Sequence, residues 1–390
     1  MKITKLFTDF FNSEKIGGIL LLICTAISLI IANSIWGNSY DHFWHSYIDL
    51  SFLNIDLKYS IQHWINDGLM TVFFLLVGLE IEREIYKGEL SDFRNALLPI
   101  AAAIGGMVIP AAIHFYFNNG TVTQSGFGIP MATDIAFALG MLALVGSRIP
   151  FSLKVFLTAL AIIDDLGAIM IIAIFYNDGI AWAYLGAALG IFGLLMFLNK
   201  AGIKNLLFYL LPGVLMWYCM LQSGVHATIT GVLLAFAIPF GKNDKTNPSY
   251  ILQHALHKPV AFLILPVFAL ANTGIVLTPY WYYNLASPNS IGIILGLLIG
   301  KPLGILLFCW LLLKLQWAKL PEQVNWKMIL GASVLAGIGF TMSIFISNLA
   351  FDDKGFTEFS KVAVLVVSLL AALIGLAILF TGKKIQENDT

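Results

Sequence analysis

Apolar residues in this chain fall into long runs separated by short polar connections, a pattern that predicts membrane-spanning helices. A helix of about 20 apolar residues crosses a hydrocarbon layer roughly 30 Å thick. Twelve runs have this character, at about 14–35, 61–82, 95–117, 122–146, 150–176, 181–199, 205–222, 224–240, 255–278, 290–314, 327–350 and 359–381. The pattern predicts an all-α polytopic membrane protein with 12 transmembrane helices, a single integral membrane domain over residues 1–390.

Two connections are longer than the others. In the loop 37–60, the stretch IDLSFLNIDLKY alternates apolar and polar residues over 55–59, which is typical of a strand. We expect a small β-hairpin there, and an irregular loop lying on the membrane surface is the alternative. The connection 241–254 is polar and rich in turn-forming residues, so we expect it to be a loop.

Composition supports the membrane interpretation. The chain is 59% hydrophobic and 11% charged, whereas soluble domains have about 25% charged residues. Net charge is zero, so nothing points to nucleic acid. The three cysteines, Cys24, Cys219 and Cys309, lie in apolar runs and indicate neither a disulfide framework nor a metal site. The basic start MKITKLFTDFF suggests a signal peptide, but the following run is long enough to span, so we interpret it as a retained helix.

The distribution of Lys and Arg predicts the orientation. If both termini are cytoplasmic, eighteen of the 22 basic residues lie inside, and only Lys58, Lys354 and Lys361 lie outside. This is the asymmetry expected of cytoplasmic loops. The loop 37–60 is then external and the loop 241–254 is cytoplasmic. The remaining basic residue, Lys301, falls within a membrane segment.

Four charged residues fall near the middle of predicted spans: Asp134, Asp164, Asp165 and Lys301. Each ionised Asp at the bilayer centre costs about 2.5–3.5 kcal/mol on insertion scales. One Asp–Lys pair on its own would be equally consistent with a purely structural ion pair. Three acids cannot all pair with one lysine, however, so at least one carboxylate needs a cation or a proton. The pattern therefore predicts a cation and proton site.

Helix geometry separates the two adjacent aspartates. Neighbouring residues of a helix point about 100° apart, so one of Asp164 and Asp165 can face a water-filled site while the other faces a neighbouring helix. Lys301 is the natural partner of the second. Its segment carries glycines at every fourth position, which allows close helix contact, at Gly292, Gly296, Gly300 and Gly304.

Two predicted spans contain helix-breaking residues near their centres. Gly128 and Pro130 precede Thr133 and Asp134 in one span, and GASVLAGIGFTMSIF interrupts the other. Interrupted helices at corresponding places in two halves are typical of transporter sites. The freed helix ends need compensation, by an acid such as Asp134 near N-termini and a base such as Lys301 near C-termini.

Several stretches resemble the NhaA-type sodium/proton antiporters over nearly the whole chain. They are FFLLVGLEIERE (73–84), ATDIAFALG (132–140), ALAIIDDLGAI (159–169), SGVHAT (223–228), LLIGKPLG (297–304) and GIGFTMSIFI (337–346). The resemblance implies twelve helices with inverted repeats, helices 3–5 and 10–12. It also implies that broken helices 4 and 11 cross at mid-membrane.

The resemblance also implies roles for the site residues. Asp165 would be the principal cation and proton site, and Asp164, the second carboxylate facing the transported Na+, would pair with Lys301. Asp134 would balance the half-helix ends, with Thr133 beside it in the cation and proton site. The candidates for pH response are Glu80, Glu84, His226, His254 and His257. For His226, a hydrogen bond at a helix end is an equally good explanation.

Two positions depart from the family pattern. Gln253 stands before His254 where an acidic residue is expected, and Glu82 stands where a basic residue is common. These departures put the pH profile in doubt and leave the expectation for the transport site unchanged.

The implied function is a secondary active Na+(Li+)/H+ antiporter that extrudes sodium in exchange for protons. We expect it to be electrogenic, pH-regulated and active in intracellular pH and sodium homeostasis, with no cofactor and no enzymatic activity. It would lie in a bacterial inner membrane as a homodimer formed through the hairpin in 44–60. Burial makes carboxylates easier to protonate, so protons and sodium would compete for the same oxygens during alternating access.

Two other classes of membrane protein, intramembrane proteases and cation channels, are alternatives. An intramembrane aspartyl protease also uses two buried aspartates, but it needs a GxGD-type motif, and the sequence has no Gly-Asp dipeptide. A cation channel would favour a continuous pore without a lysine at its narrow point. A flux assay separates these classes, because an antiporter needs a counter-ion gradient and a channel does not.

Overall fold

The computed structural model describes residues 2–51, 57–177, 179–241, 247–277 and 279–381. Most of these residues are helical. The α-helices are α1 (Lys2–Ala32), α2 (Gly37–His45), α3 (Ile61–His63), α4 (Met70–Lys87), α5 (Phe93–Asn118), α6 (Ile135–Val145), α7 (Phe151–Phe175), α8 (Trp182–Lys200), α9 (Leu207–Gln222), α10 (Ile229–Ala237), α11 (Pro248–Pro259), α12 (Leu265–Asn272), α13 (Pro288–Leu295), α14 (Lys301–Lys314), α15 (Trp326–Ala336), α16 (Phe340–Ala350) and α17 (Lys354–Phe380).

Other helical turns join or precede several of these helices. Three π-helical segments, Trp64–Leu69, Val260–Ile264 and Gly296–Gly300, connect α3 to α4, α11 to α12 and α13 to α14. Continuous helices therefore run over Ile61–Lys87, Pro248–Asn272 and Pro288–Lys314. Short 3-10 helices cover Glu89–Ser91, Gln124–Met131, Gly146–Arg148 and Trp281–Ala286.

Among the residues that the structure describes, eight helices are long and apolar enough to cross a membrane. The number is ten if each of two bent pairs is one span. The bent pairs are Ile16–Ala32 with Gly37–His45, at 114°, and Trp326–Ala336 with Phe340–Ala350, at 43°. Each predicted span contains helix, although α9, with 16 residues, and α10, with 9, are not among the eight long helices. The prediction of a multi-helix membrane fold is confirmed.

The predicted hairpin is also confirmed. Strand β1 (Tyr47–Asp49) pairs antiparallel with β2 (Lys58–Ser60), in the register Tyr47↔Ser60 and Asp49↔Lys58. Residues 52–56, which include the first two positions of the alternating stretch 55–59, lie outside the described residues. The sequence did not predict α2 in the same loop. This nine-residue helix is too short to be stable alone, and tertiary contacts hold it, since the Tyr40 hydroxyl donates to the carbonyl of Leu270 at 2.7 Å.

The expected loop 241–254 is partly wrong, because α11 begins at Pro248. The Asn247 side chain accepts a hydrogen bond from the Ser249 N–H, and Pro248 occupies the first helical turn. Both features favour helix initiation. His254 therefore lies on a helix rather than in a loop. Residues 242–246 lie outside the described part of the chain.

The chain divides into two compact units. The first unit comprises Met1–Leu22, Lys87–Ala168 and Leu277–Thr390, and the second comprises Ile23–Tyr86 and Ile169–Val276. Within the first unit, α5 packs against α13 and α14. Within the second unit, residues of α4, α8, α9 and α10 form an apolar core around the buried Tyr209.

Both interrupted helices predicted from the sequence are broken in the first unit. One break, at residues 132–134, separates Gln124–Met131 from α6, and the other, at 337–339, separates α15 from α16. The segment before the first break is 3-10 rather than α-helical. Its two glycines and Pro130 disfavour an α-helix, and its buried position maintains the tighter helix.

Candidate ion-binding site

The two breaks contact each other within the first unit. The backbone N–H of Asp134 donates to the carbonyl of Ile338 at 2.7 Å. The Ser343 hydroxyl donates to the carbonyl of Ile129, also at 2.7 Å. Backbone groups that each interrupted helix leaves without an internal partner are therefore satisfied across the pair, as a buried backbone requires.

Asp134 caps two helices at once. It is 2% exposed and is the N-cap of α6, where Oδ1 accepts a hydrogen bond from the Phe137 N–H at 2.9 Å. Its other oxygen, Oδ2, accepts from the Thr341 N–H at 3.0 Å and from the Thr341 hydroxyl, in the first turn of α16. One carboxylate thus faces the positive ends of two helix dipoles.

Lys301 lies at the opposite kind of helix end. Its Nζ donates to the carbonyl of Met131, the last residue of the 3-10 segment, and forms an ion pair with Asp164 Oδ2 at 2.9 Å. Both side chains are fully buried. The ammonium therefore faces a carboxylate and the negative end of a helix together.

Thr133 connects Asp164 to the second break. Its hydroxyl lies 2.7 Å from Asp164 Oδ2 and 2.9 Å from the carbonyl oxygen of Ala336, the last residue of α15. A hydroxyl carries one proton, so it can donate to only one of these acceptors at a time. The three oxygen atoms form a compact set of neutral and charged oxygens inside the first unit.

The second oxygen of Asp164 differs from the first. Oδ1 is buried, and among the described residues no group donates a hydrogen bond to it. Buried carboxylate oxygens are normally paired, and leaving one unpaired carries a large desolvation penalty. Oδ1 is therefore an acceptor able to take a proton or a cation.

Asp165 is 1% exposed and follows Asp164 in α7. Its side chain points about 100° away from that of Asp164 around the helix axis. It is close enough to Lys301 to interact with it electrostatically. The structure thus brings Asp164, Asp165, Thr133 and Lys301 together, and it holds Asp134 at the helix N-termini beside them.

The candidates for pH response lie in the second unit, most of them in one group. Glu80 is 8% exposed and hydrogen-bonded to Gln253. Glu84 lies 3.4 Å from the Arg83 guanidinium. His257 interacts electrostatically with His254 and Arg83.

His226 lies apart from this group. It occupies the connection between α9 and α10 and interacts electrostatically with Asp67, which His63 also contacts at 3.0 Å. His254 itself is exposed and stacks on Tyr250, with ring centroids 6.2 Å apart. The five predicted residues therefore do not form a single cluster.

Comparison with known proteins decides the family. The sequence profile of the family described as Na+/H+ antiporter 1 matches residues 8–379. The chain belongs to this antiporter family.

Individual relatives within the antiporter family are close in sequence and length. The chain is 60% identical over 375 residues to the Na(+)/H(+) antiporter NhaA of Flavobacterium psychrophilum, which covers 96% of each chain. It is 57% identical over 392 residues to the protein of the same name from Dechloromonas aromatica, covering 100% of this chain and 98% of the relative.

A solved structure of the sodium proton antiporter MjNhaP1 from Methanocaldococcus jannaschii at pH 8 is similar in fold. The TM-score is 0.55, the sequence identity is 11%, and the match covers 98% of this chain and 99% of that one. The similarity at this identity concerns the fold alone.

Sequence reasoning about this antiporter family member missed several contacting groups. Thr341 lies within GIGFTMSIFI (337–346), two residues after the break, but the sequence did not indicate that its hydroxyl donates a hydrogen bond to Asp134. Ser343 was missed in the same way. Ser249, whose hydroxyl donates to Glu82 at 2.7 Å, gave no signal, since serine before a helical apolar run is common at helix starts.

Proposed function

We propose that this chain is a secondary Na+/H+ antiporter that binds Na+ or Li+ and protons alternately at Asp164 and Asp165. Its relatives are named as antiporters, which are transporters rather than enzymes. The observation that carries the site assignment is the buried Oδ1 of Asp164, to which no described residue donates a hydrogen bond. A proton or a cation satisfies this oxygen, and both cannot occupy it together.

The ligands of the cation would be a small number of charged carboxylate oxygens together with several neutral oxygens. Among the described residues, no group of three or more His, Cys, Asp or Glu side chains is arranged to hold a metal ion. The hydroxyl of Thr133 and the carbonyl of Ala336 lie beside Asp164 and supply neutral oxygens. Hard cations prefer such oxygen ligands. Exchange of this kind needs no cofactor.

Competition between Na+ and protons for the same carboxylates explains the transport cycle. With sodium bound, the carboxylates are ionised, and protonation then releases sodium to one side of the membrane. If two protons enter for each Na+ that leaves, every cycle moves one net charge. The membrane potential, at about 2.3 kcal/mol per charge per 100 mV, would then drive sodium out.

We propose the same membrane arrangement that the sequence predicted. The chain would form one transporter over residues 1–390 with twelve spans, in a bacterial inner membrane with both termini in the cytoplasm. Helices 3–5 and 10–12 would form inverted repeats whose broken members cross at mid-membrane. The contact between the two breaks, from the Asp134 N–H to the Ile338 carbonyl, supports this arrangement. Glu80, Glu84 and His257 would set the pH response.

The test is cation-dependent proton movement in everted membrane vesicles. Addition of Na+ or Li+ to vesicles with an established proton gradient should dissipate the gradient, and addition of K+ should have little effect. Vesicles without the protein control for leakage. If sodium crosses the membrane with no accompanying proton movement, the protein is a channel and the proposal is wrong.

We propose further that the hairpin pairs two copies of the chain. A two-stranded sheet leaves backbone groups unpaired at its edges, and pairing with a second copy in a symmetric dimer would satisfy them. Deletion of residues 47–58 should yield monomers on crosslinking while exchange continues. The substitution Asp352→Asn, at an exposed residue outside the hairpin, is the control and should leave dimers intact. Dimers that survive the hairpin deletion would contradict this assignment.

A further inference from the structure

A wide, open apolar groove in the first unit lies between α14 and α15. It has a volume of about 590 Å³ and is lined by Leu303, Leu306, Leu307, Trp310, Trp326, Lys327 and Leu330. Its open side leaves room for an extended chain to lie along the surface. The antiport mechanism uses none of these residues.

The α14 side of the groove is a single helical stripe. Leu303, Leu307 and Trp310 recur at helical spacing, and Lys314 continues the stripe one turn beyond Trp310. The first three side chains are 45–52% exposed. From Leu303 to Lys314 the helix rises about 16 Å, which is close to one leaflet of a hydrocarbon core roughly 30 Å thick.

The stripe ends in basic and aromatic groups. The Nζ of Lys314 lies 4.7 Å from the centre of the Trp310 ring, so the ammonium is held at the end of the groove. Trp326 and Lys327 begin α15 on the other side. The connection between the helices, residues 315–325, is mostly exposed and mixes apolar residues with Gln316, Lys319, Glu322, Gln323 and Asn325, so it belongs at the membrane surface. Tryptophan and lysine are typical of that level of a bilayer.

We propose that this groove binds one anionic phospholipid. Its acyl chain lies along Leu303, Leu307 and Leu330, and its headgroup phosphate is bound by Lys314 and Lys327. An ordinary lipid-facing helix surface has an apolar stripe but lacks a concave wall supplied by a second helix. A basic pocket between helices at membrane depth is the arrangement that selects anionic headgroups.

Headgroup binding can be tested by native mass spectrometry of the full-length protein in detergent. The probes are phosphatidylglycerol and phosphatidylcholine with identical acyl chains. The wild type should retain one phosphatidylglycerol with roughly thirtyfold preference, the effect of two lysines near an anionic headgroup. The double variant Lys314→Gln/Lys327→Gln should lose that preference. Lys319→Gln is the matched control, since Lys319 is exposed on the connection between the helices. It does not line the groove as Lys327 does, and it does not lie over Trp310 as Lys314 does.

Binding of the lipid acyl chain can be tested by a substitution that fills the groove. Leu307→Trp should prevent retention of either lipid, whereas Leu311→Trp, a similarly exposed leucine of α14 outside the groove, should bind as the wild type does. Thermal melting of the delipidated variants checks that each is folded. Equal retention of both lipids by the wild type overturns the proposal, and so does unchanged phosphatidylglycerol binding in the double variant. Lipid-independent dimers that Leu307→Trp separates would assign the groove to a second copy and would also overturn it.

Discussion

The two units hold their buried acids in different ways. In the first unit, Asp134 and Asp164 are bonded to groups at the ends of interrupted helices and to Lys301. In the second unit, Glu80 and Glu82 lie on the continuous helix Ile61–Lys87 and are hydrogen-bonded to the side chains of Gln253 and Ser249, and Glu80 also interacts electrostatically with Arg83.

The difference concerns which partners of a buried acid a substitution can remove. Backbone N–H and C=O groups at a helix break are present whatever the side chains are, so the acid or base facing them is required by the backbone itself. Side-chain partners can change one residue at a time. A single substitution at Gln253 or Ser249 can therefore change the surroundings of an acid in the second unit.

The largest expected effect is that of Asp165→Asn in the first unit. We expect it to abolish Na+- and Li+-dependent proton exchange at every pH from 6.5 to 8.5, because an amide neither binds sodium strongly nor carries a titrating proton. Everted vesicles measure this directly. Asp41→Asn, at an exposed residue of the second unit outside the pH-response group, is the control and should retain exchange. Exchange at the wild-type level in Asp165→Asn, at equal expression, would remove Asp165 from the site.

The next largest effect tests whether Lys301 is structural. Lys301→Gln should lower the free energy of unfolding by about 3–5 kcal/mol, because it leaves Asp164 buried without its counter-charge. The double variant Lys301→Gln/Asp164→Asn should recover stability in a thermal melt. We expect it to exchange one proton per Na+ through Asp165, without response to membrane potential. A stable double variant with no flux at any pH would instead mean that both carboxylates are obligatory.

A smaller effect on stability is expected at Asp134, whose carboxylate caps both α6 and α16. Thr341→Val removes the hydroxyl that donates to Asp134 and should destabilise the protein by about 1.5–3 kcal/mol, the usual range for a hydrogen bond to a charged group. Thr341→Ser keeps the hydroxyl and should melt within a degree or two of the wild type. If valine and serine variants melt alike, the side-chain bond contributes nothing and the backbone N–H alone holds Asp134.

The smallest effect is expected in the second unit. Gln253→Glu adds a carboxylate beside Glu80, and repulsion between like charges makes protonation of the pair easier. The pH at half-maximal exchange should therefore rise, by roughly one unit. Gln253→Met keeps the size of the side chain without its hydrogen bond and is the neutral control. An unchanged profile in both variants would show that the Glu80 group does not set the pH response.

Much of the fold could be predicted because a bilayer constrains sequence strongly. Each span needs a long apolar run, and a charge within such a run is costly enough to be conspicuous. The mid-span positions of Asp134, Asp164 and Lys301 could be predicted for this reason. Both helix breaks could be predicted for a second reason, which is the residues they contain. The breaks contain glycine or lie close after proline, and these residues are visible without any knowledge of the fold.

What could not be predicted depends on contacts between distant residues. The bond from Thr341 to Asp134 joins residues 207 positions apart, and no periodicity encodes such a pairing. Helix α2 is held by Tyr40 against Leu270, so its own nine residues gave no adequate signal. The early start of α11 follows from the Asn247 cap, which was interpreted as part of a polar turn.

The glycines at 105 and 304 have a consequence for how this protein can vary. A Cβ atom on either glycine would overlap the carbonyl of the other, because α5 and α14 touch backbone to backbone there. Neither position can accept even alanine unless both helices separate, and α14 carries Lys301 at its first turn. In a saturation mutagenesis library, no substitution should therefore be tolerated at either position, although neither glycine takes part in ion binding. Lipid-facing positions within one turn of each glycine should tolerate many substitutions.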